Sequence, residues 1–191
     1  QTSDTVSAAN GGTFAGNVTM SSDLNVDTIK NTSGTTAINI NSNGVVTTPA
    51  KPMFKAKGGS NISLANNAWT KAAFNSESFD IGSYYDPSTN YRYTPLVAGK
   101  YFFYAKAYIT WASAATEQID IALYKNGSLE TQYGRYDAQT DGNYGHVGIS
   151  SLIDMNGSSD YIEVYVRAST STDAKLYING EHGEFSGYLV S

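Results

Sequence analysis

The chain has 191 residues, of which 40% are apolar, with 15 tyrosines against 7 phenylalanines, no cysteine and a net charge of −5. The missing cysteine excludes disulfide and thiolate chemistry, and an acidic balance without a run of lysines or arginines speaks against nucleic acid as a partner. No apolar stretch approaches the ~20 residues of a membrane-spanning helix, so no membrane insertion is expected, and no signal-peptide pattern opens the sequence.

Residues 1–50 hold a single Phe and neither Tyr nor Trp. Short alternating segments, "NVTM", "LNVDTI", "AINI" and "GVVT", are separated by Gly, Ser and Asn turns. Alternation predicts strands with one apolar face. Each is too short, and too poor in large side chains, to build a core alone. The apolar clusters recur at a loose spacing of about eight to ten residues, as in a repeat. A β-rich stalk shared between copies of the chain is therefore expected here, with a flexible linker as the alternative. "TTPAKP" (Thr47 to Pro52) closes the region, because two prolines in four residues interrupt a ladder.

From residue 51 to 191 the pattern is all-β. Strands are predicted at 53–57, 61–64, 69–74, 78–82, 91–94, 100–111, 117–125, 144–154, 160–167 and 183–190, and no window has a helical period. About ten strands with turn signals between them make an antiparallel sandwich or barrel. Asn156-Gly157, between two alternating strands, reads as a hairpin turn. On the strand after Gly99, Tyr101 and Phe103 point one way while Phe102 and Tyr104 point the other, so both faces require cover.

Four motifs carry a family resemblance. "YDPSTNYRYT" and "VAGKYFF" run from Tyr85 to Phe103, "ALYKNG" spans 122–127, "DYIEVYV" spans 160–166, and "FSGYLV" closes the chain at 185–190. In this order and at this total length they resemble the complement C1q-like family, relatives of the tumour necrosis factor head. Tyr93 stands where the family usually has Phe. The resemblance implies a jelly-roll head over about residues 52–191 that forms a homotrimer around a three-fold axis. Tyr93, Tyr101, Phe102, Phe103, Tyr104, Phe185 and Tyr188 are then the aromatic residues expected to fill the core or the trimer interface.

The stalk units "GGTFAGNV" and "IKNTSGTTAININSNGVV" resemble repeats of bacteriophage tail fibres that precede receptor-binding heads. That implies a virion protein, extracellular when it acts, whose partner is a bacterial cell-surface glycan or protein. A secreted or bacterial-surface adhesion module is the alternative. In the C1q-like family the C-terminal strand finishes near the stalk. The connectors 134–145 and 168–180 therefore lie at the far end of the head and "NGSS" (156–159) at the near end. The candidate receptor-binding residues are Arg135, Tyr136, Asp137, Asp141, Asn143 and Tyr144 in the first connector and Lys175 and Tyr177 in the second, rings beside polar groups that suit a polar epitope.

Catalytic motifs are missing: there is no P-loop, GxSxG or HExxH. "EHGE" (181–184) places carboxylates around His182, but Glu181 and Glu184 do not share a strand face, so a polar loop is expected rather than a metal site. No cofactor is expected. "DAQTDGN" (137–143) offers oxygen ligands for calcium, which some members of the resembling family bind. A glycan-cleaving tailspike requires a carboxylate pair in a groove, and the spacing of Asp137, Asp141, Asp173, Glu181 and Glu184 singles out none. A non-enzymatic binding protein is the expectation.

Overall fold

The structure, a computed structural model, describes residues 23, 25–111, 116–130, 134–137, 144–170 and 174–191. It falls into two compact units, 1–47 and 48–191.

In the first unit, β1 (Thr28–Lys30), β2 (Thr36–Ile40) and β3 (Val46–Thr47) form an antiparallel sheet in the order β1-β2-β3. The two turns repeat one solution ten residues apart. The Asn31 side-chain oxygen accepts from the Ser33 and Thr35 amides, and that of Asn41 accepts from Asn43 and Val45. Gly34 and Gly44 supply the positive φ in each. None of the unit's described residues is buried. The expected "NVTM" strand lies outside the described residues.

The second unit is all-β: β4 (Met53–Lys57), β5 (Ile62–Leu64), β6 (Thr70–Lys71), β7 (Ser76–Ile81), β8 (Tyr85–Asp86), β9 (Arg92–Tyr93), β10 (Gly99–Trp111), β11 (Thr116–Lys125), β12 (Ser128–Leu129), β13 (Gly134–Asp137), β14 (Tyr144–Met155), β15 (Ile162–Thr170), β16 (Ala174–Tyr177) and β17 (Glu184–Leu189). Two antiparallel seven-stranded sheets result. The first is ordered β5-β16-β10-β17-β4-β7, with β14 also on β10; the second is β12-β11-β15-β9-β8, with β13 on β11 and β6 on β15. This is the jelly-roll sandwich that the sequence predicts.

The long central strands show why. Along β10, Tyr101, Phe103, Ala105, Ala107, Ile109 and Trp111 are buried at every second position, facing Ile119, Ile121, Leu123, Val164 and Val166 of the other sheet in one core. Phe54 stacks on Tyr93 at 4.2 Å and meets Phe185 edge-on at 4.8 Å. Tyr93, Tyr101, Phe103 and Phe185, left between core and interface by the sequence, are thus core residues of one chain. Tyr85 donates its hydroxyl to the Phe74 carbonyl and Tyr101 to Val97, whereas the buried Tyr93 hydroxyl has no partner among the described residues.

The "YDPST" stretch is a capped hairpin. The Asp86 carboxylate accepts from the Ser88, Thr89 and Asn90 amides at 3.0–3.1 Å, closing the turn between β8 and β9. Those bonds, the Thr89 amide first, hold its carboxyl far below the ordinary carboxylate range.

Several expectations require correction. Asn156-Gly157 is not a hairpin turn: β14 belongs to the first sheet and β15 to the second, so the segment crosses the sandwich. The Asn156 side-chain oxygen accepts from the Ser158, Ser159 and Asp160 amides, and a Cβ on Gly157 would lie 2.2 Å from the Ala98 nitrogen. The two-residue hairpin is instead Asn126-Gly127, both at positive φ, between β11 and β12. The strand expected at 69–74 shrinks to β6, since the Ala72 amide bonds Val164 while Phe74 turns inward. β8, β12, β13 and β16 lie where turns or connectors were read; strands of two to four residues carry too little alternation to register.

Candidate functional site

Two of the head's ends and faces carry the candidate residues. At the near end the chain enters at Lys51 and Pro52, where Lys51 Nζ donates to the Val190 carbonyl and the Leu189 amide to that of Pro52. β10 leaves this end at Gly99, and β14 and β17 return to it. Asp137, Tyr144, Thr170 and Ala174, beside the Trp111 end of β10 or the Thr116 end of β11, therefore lie at the opposite, far end.

The outer face of the first sheet is aromatic. Across its near half, Phe102 stands between Leu152 on β14 and Tyr188 on β17, and Tyr188 opposes Met53 on β4. Leu152 is 62% exposed, Tyr188 46% and Phe79 45%. Met53, Lys55, Phe79, Phe102 and Tyr188 line a cavity of about 430 Å³. Tyr104, on the same face, is half-buried. Of the seven aromatic residues expected in core or interface, Phe102, Tyr104 and Tyr188 are thus the three that face outward.

Toward the far end the same face changes character. Tyr108 is surrounded by Tyr144 (5.7 Å), His146 (4.7 Å), Tyr177 (5.9 Å) and His182 (4.9 Å) between ring centroids, so both histidines of the chain lie against one tyrosine. Tyr144 is 57% exposed, and Lys175 is exposed opposite Thr110. The residues of "EHGE" have separate tasks. Glu181 is exposed, His182 joins the ring cluster, and Glu184 pairs with Lys55 at 2.9 Å. Burial raises the Glu184 carboxyl, and Lys55, with Ser186 and Lys106, more than offsets it, leaving the group below its ordinary value.

The second sheet's outer face is built around two buried carboxylates that the sequence analysis did not single out. Asp120 accepts from Arg135 Nε at 3.0 Å, Arg167 Nη2 at 2.6 Å and Gln118 Nε2 at 3.0 Å. Burial pushes its carboxyl up, and Gln118, Arg167 and Arg135 together bring it below the ordinary range. Glu163 accepts from Lys71 Nζ at 2.6 Å. An acidic residue between Ile119 and Ile121 in an alternating strand reads as solvated; only the cross-strand register, which sets Asp120 between Arg135 and Arg167, reveals the knot.

The candidate receptor residues are therefore divided. Tyr144, Lys175 and Tyr177 share the first sheet's outer face, while Arg135, Tyr136 and Asp137 sit on β13 in the second sheet. Tyr136 is 38% exposed and lies over Gly145, where a Cβ would come within 2.8 Å of its ring. Arg135 is engaged with Asp120, and Asp137 is exposed. Asp141, Asn143, Asp173 and most of the 137–143 calcium candidate lie outside the described residues. Among the described residues, no group of three His, Asp or Glu converges as a metal site, and no helix is long and apolar enough to cross a membrane.

Solved structures resemble this architecture. The globular domain of zebrafish complement 1qA protein matches at 14% identity with a TM-score of 0.51, covering 74% of this chain and 98% of that one. Murine APRIL at pH 5.0 matches at 12% and 0.57, over 73% and 99%. The head has the C1q and tumour necrosis factor jelly-roll fold. The Eiger TNF of S. frugiperda matches the C1q/TNF-like head as well, at 11% identity and TM-score 0.53 over 73% of this chain and 91% of that one. No family model and no curated protein matches the sequence. At these identities the likeness is one of fold.

Proposed function

We propose that the chain is a non-enzymatic, homotrimeric receptor-binding protein of a bacteriophage tail fibre, its C1q/TNF-like head carried on a β-rich stalk and directed at a bacterial surface molecule. The observation that carries the trimer is the near half of the first sheet's outer face. Phe79, Leu152 and Tyr188, around half-buried Phe102, there form a largely apolar surface that none of the head's described residues covers. A second copy is the occupant that the family resemblance implies, and closed symmetry lets three copies each cover one such face. A stalk sheet without a buried residue supports the same reading, because its strands need other chains to bury anything.

Receptor contact is proposed at the far end, away from the chain's entrance, through Tyr136, Tyr144, Lys175 and Tyr177. These residues offer ring faces beside a cation, the chemistry that polar epitopes engage. The test is adsorption. The full chain should bind cells of a susceptible bacterium and compete with virions for them, releasing no glycan over time. Tyr136→Ala and Tyr144→Ala together should abolish adsorption and leave the oligomer intact. Adsorption that survives while the oligomer dissociates would move both rings into the assembly and the contact elsewhere.

A further inference from the structure

The chain carries three arginines, at 92, 135 and 167, and all three lie on the outer face of the second sheet. Lys71 joins them from β6, opposite Tyr165. Aromatic rings are interleaved with these cations. The Arg92 guanidinium lies 4.2 Å from the Tyr161 ring centroid, that of Arg167 4.9 Å from Trp69, and Lys71 Nζ 5.8 Å from Tyr165. Trp69, Tyr124 and Tyr165 touch in sequence, at 5.9 and 4.2 Å.

Among the described residues this face also carries four carboxylates, but Asp120 and Glu163 lie beneath the cations, and Asp86, opposite Arg92 on β8, is turned into the amides of its own hairpin turn. The side chains of Asp120 and Glu163 are 2% and 5% exposed, whereas those of Arg135, Lys71 and Arg167 are 40%, 32% and 24% exposed. Exposed Asp137 sits at the margin, one outward position beyond Arg135 on β13. A protein of net charge −5 thus presents a ring-lined strip in which cations stand above the buried carboxylates that pair with them. From Tyr161 to Arg167 it runs about 20 Å along β15.

We infer that this strip binds an anionic glycan, a sugar chain whose units carry carboxylate or phosphate groups. Ring faces accept the apolar sides of sugars, phenol hydroxyls bond their hydroxyl groups, and guanidinium groups take the anionic oxygens. Nucleic acid is the other polyanion that rings and cations can take, and binding of oligothymidylate in the test below is the outcome that would favour it. The inference deepens the reading of the head as a binding protein by naming a ligand class. It places that ligand on the second sheet, apart from the face proposed for assembly.

The test is titration of the full chain with oligogalacturonate and with a glycerol-phosphate teichoic acid. Neutral dextran, polyglutamate and oligothymidylate serve as comparisons. Trp111 is 4% exposed and Trp69 half-buried, so tryptophan fluorescence reports mainly on Trp69. At least one acidic glycan should change that fluorescence, with affinity falling as salt rises and no response to dextran. Arg92→Ala, read by the same fluorescence, and Trp69→Ala, read by titration calorimetry because it removes the reporter, should each weaken binding by about tenfold. Arg92 is outside the Asp120 knot, so this variant should keep the parent melting temperature and isolate the strip even if Trp69→Ala unfolds. Failure of both acidic glycans, binding untouched by Arg92→Ala, or equal binding of polyglutamate or oligothymidylate would each overturn the inference. Cell adsorption without binding of either acidic glycan would overturn it while leaving the receptor-binding reading standing. Glycan binding through the strip without adsorption would do the reverse.

Discussion

On the outer side of the β10 sheet, the near half exposes Phe79, Leu152 and the ring of Tyr188 around half-buried Phe102, and none of the head's described residues covers them. On the outer side of the β15 sheet, half-buried rings and cations lie over two buried carboxylates, and each acidic group has its partners. The two sheets share one core, so the difference does not come from the demands of folding one chain. On the proposed reading, the first face has its burial completed by other copies, whereas the second pairs its own buried carboxylates with cations. A sandwich needs only its inner faces to fold, which leaves each outer face to be shaped by a separate task.

The comparison can be broken most forcefully on the first face. Phe102→Asp combined with Leu152→Asp places two carboxylates on the uncovered patch. The oligomer should dissociate in size-exclusion chromatography while the far-ultraviolet β spectrum persists. Loss of the β spectrum would mean that the patch serves the fold of the single chain.

On the second face the largest effect belongs to Asp120→Ala, which leaves two guanidinium groups without their buried acceptor and should cost about 3–5 kcal/mol in denaturant unfolding. The same carboxylate gives a pH signature. Its folded pKa lies below the ordinary value, so its stabilisation is fully present above about pH 4 and is lost as pH falls through the lowered value. Asp120→Asn should flatten that part of the acid-unfolding curve. An unchanged curve would show that the knot contributes no acid-dependent stability.

A milder comparison sets the two faces' lysine pairs side by side. Glu163 is buried on the second face, and Glu184 is more open on the first. Glu163→Gln should destabilise by about 2 kcal/mol and Glu184→Gln by less than about 1 kcal/mol in the isolated head. If Glu184→Gln costs more in the intact oligomer, that carboxylate lies within the assembly contact.

The smallest effects come from the core that both sheets share. Tyr85→Phe removes a hydroxyl that bonds the Phe74 carbonyl at 2.7 Å and should cost about 1 kcal/mol. Tyr93→Phe removes a buried hydroxyl without a partner among the described residues and should be neutral or stabilising. Melting curves of the two variants separate these outcomes.

Much of the fold was legible because β10, β11, β14 and β15 alternate over nine to thirteen residues, long enough for period two to stand out. The "YDPST" and "FSGYLV" motifs supplied the resemblance that implied a jelly roll. The route at Asn156-Gly157 was not legible, because an Asn-Gly pair turns the chain equally well within a sheet or between sheets. The strip of cations and rings was invisible for a related reason. Arg92, Arg135 and Arg167 are scattered over 76 positions of sequence and become one cluster only through the registers of β9, β13 and β15. Likewise Tyr136 and Tyr144, eight residues apart, belong to opposite sheets, which spacing alone does not reveal.

The proposed trimer is tested most directly by multi-angle light scattering of the full chain at micromolar concentration. Three copies covering one another's first-sheet faces predict a mass three times the 20.5 kDa of the chain, unchanged on dilution. A stable species of 20.5 kDa would contradict it, because Leu152, Phe102 and Tyr188 would then face water with no copy to cover them.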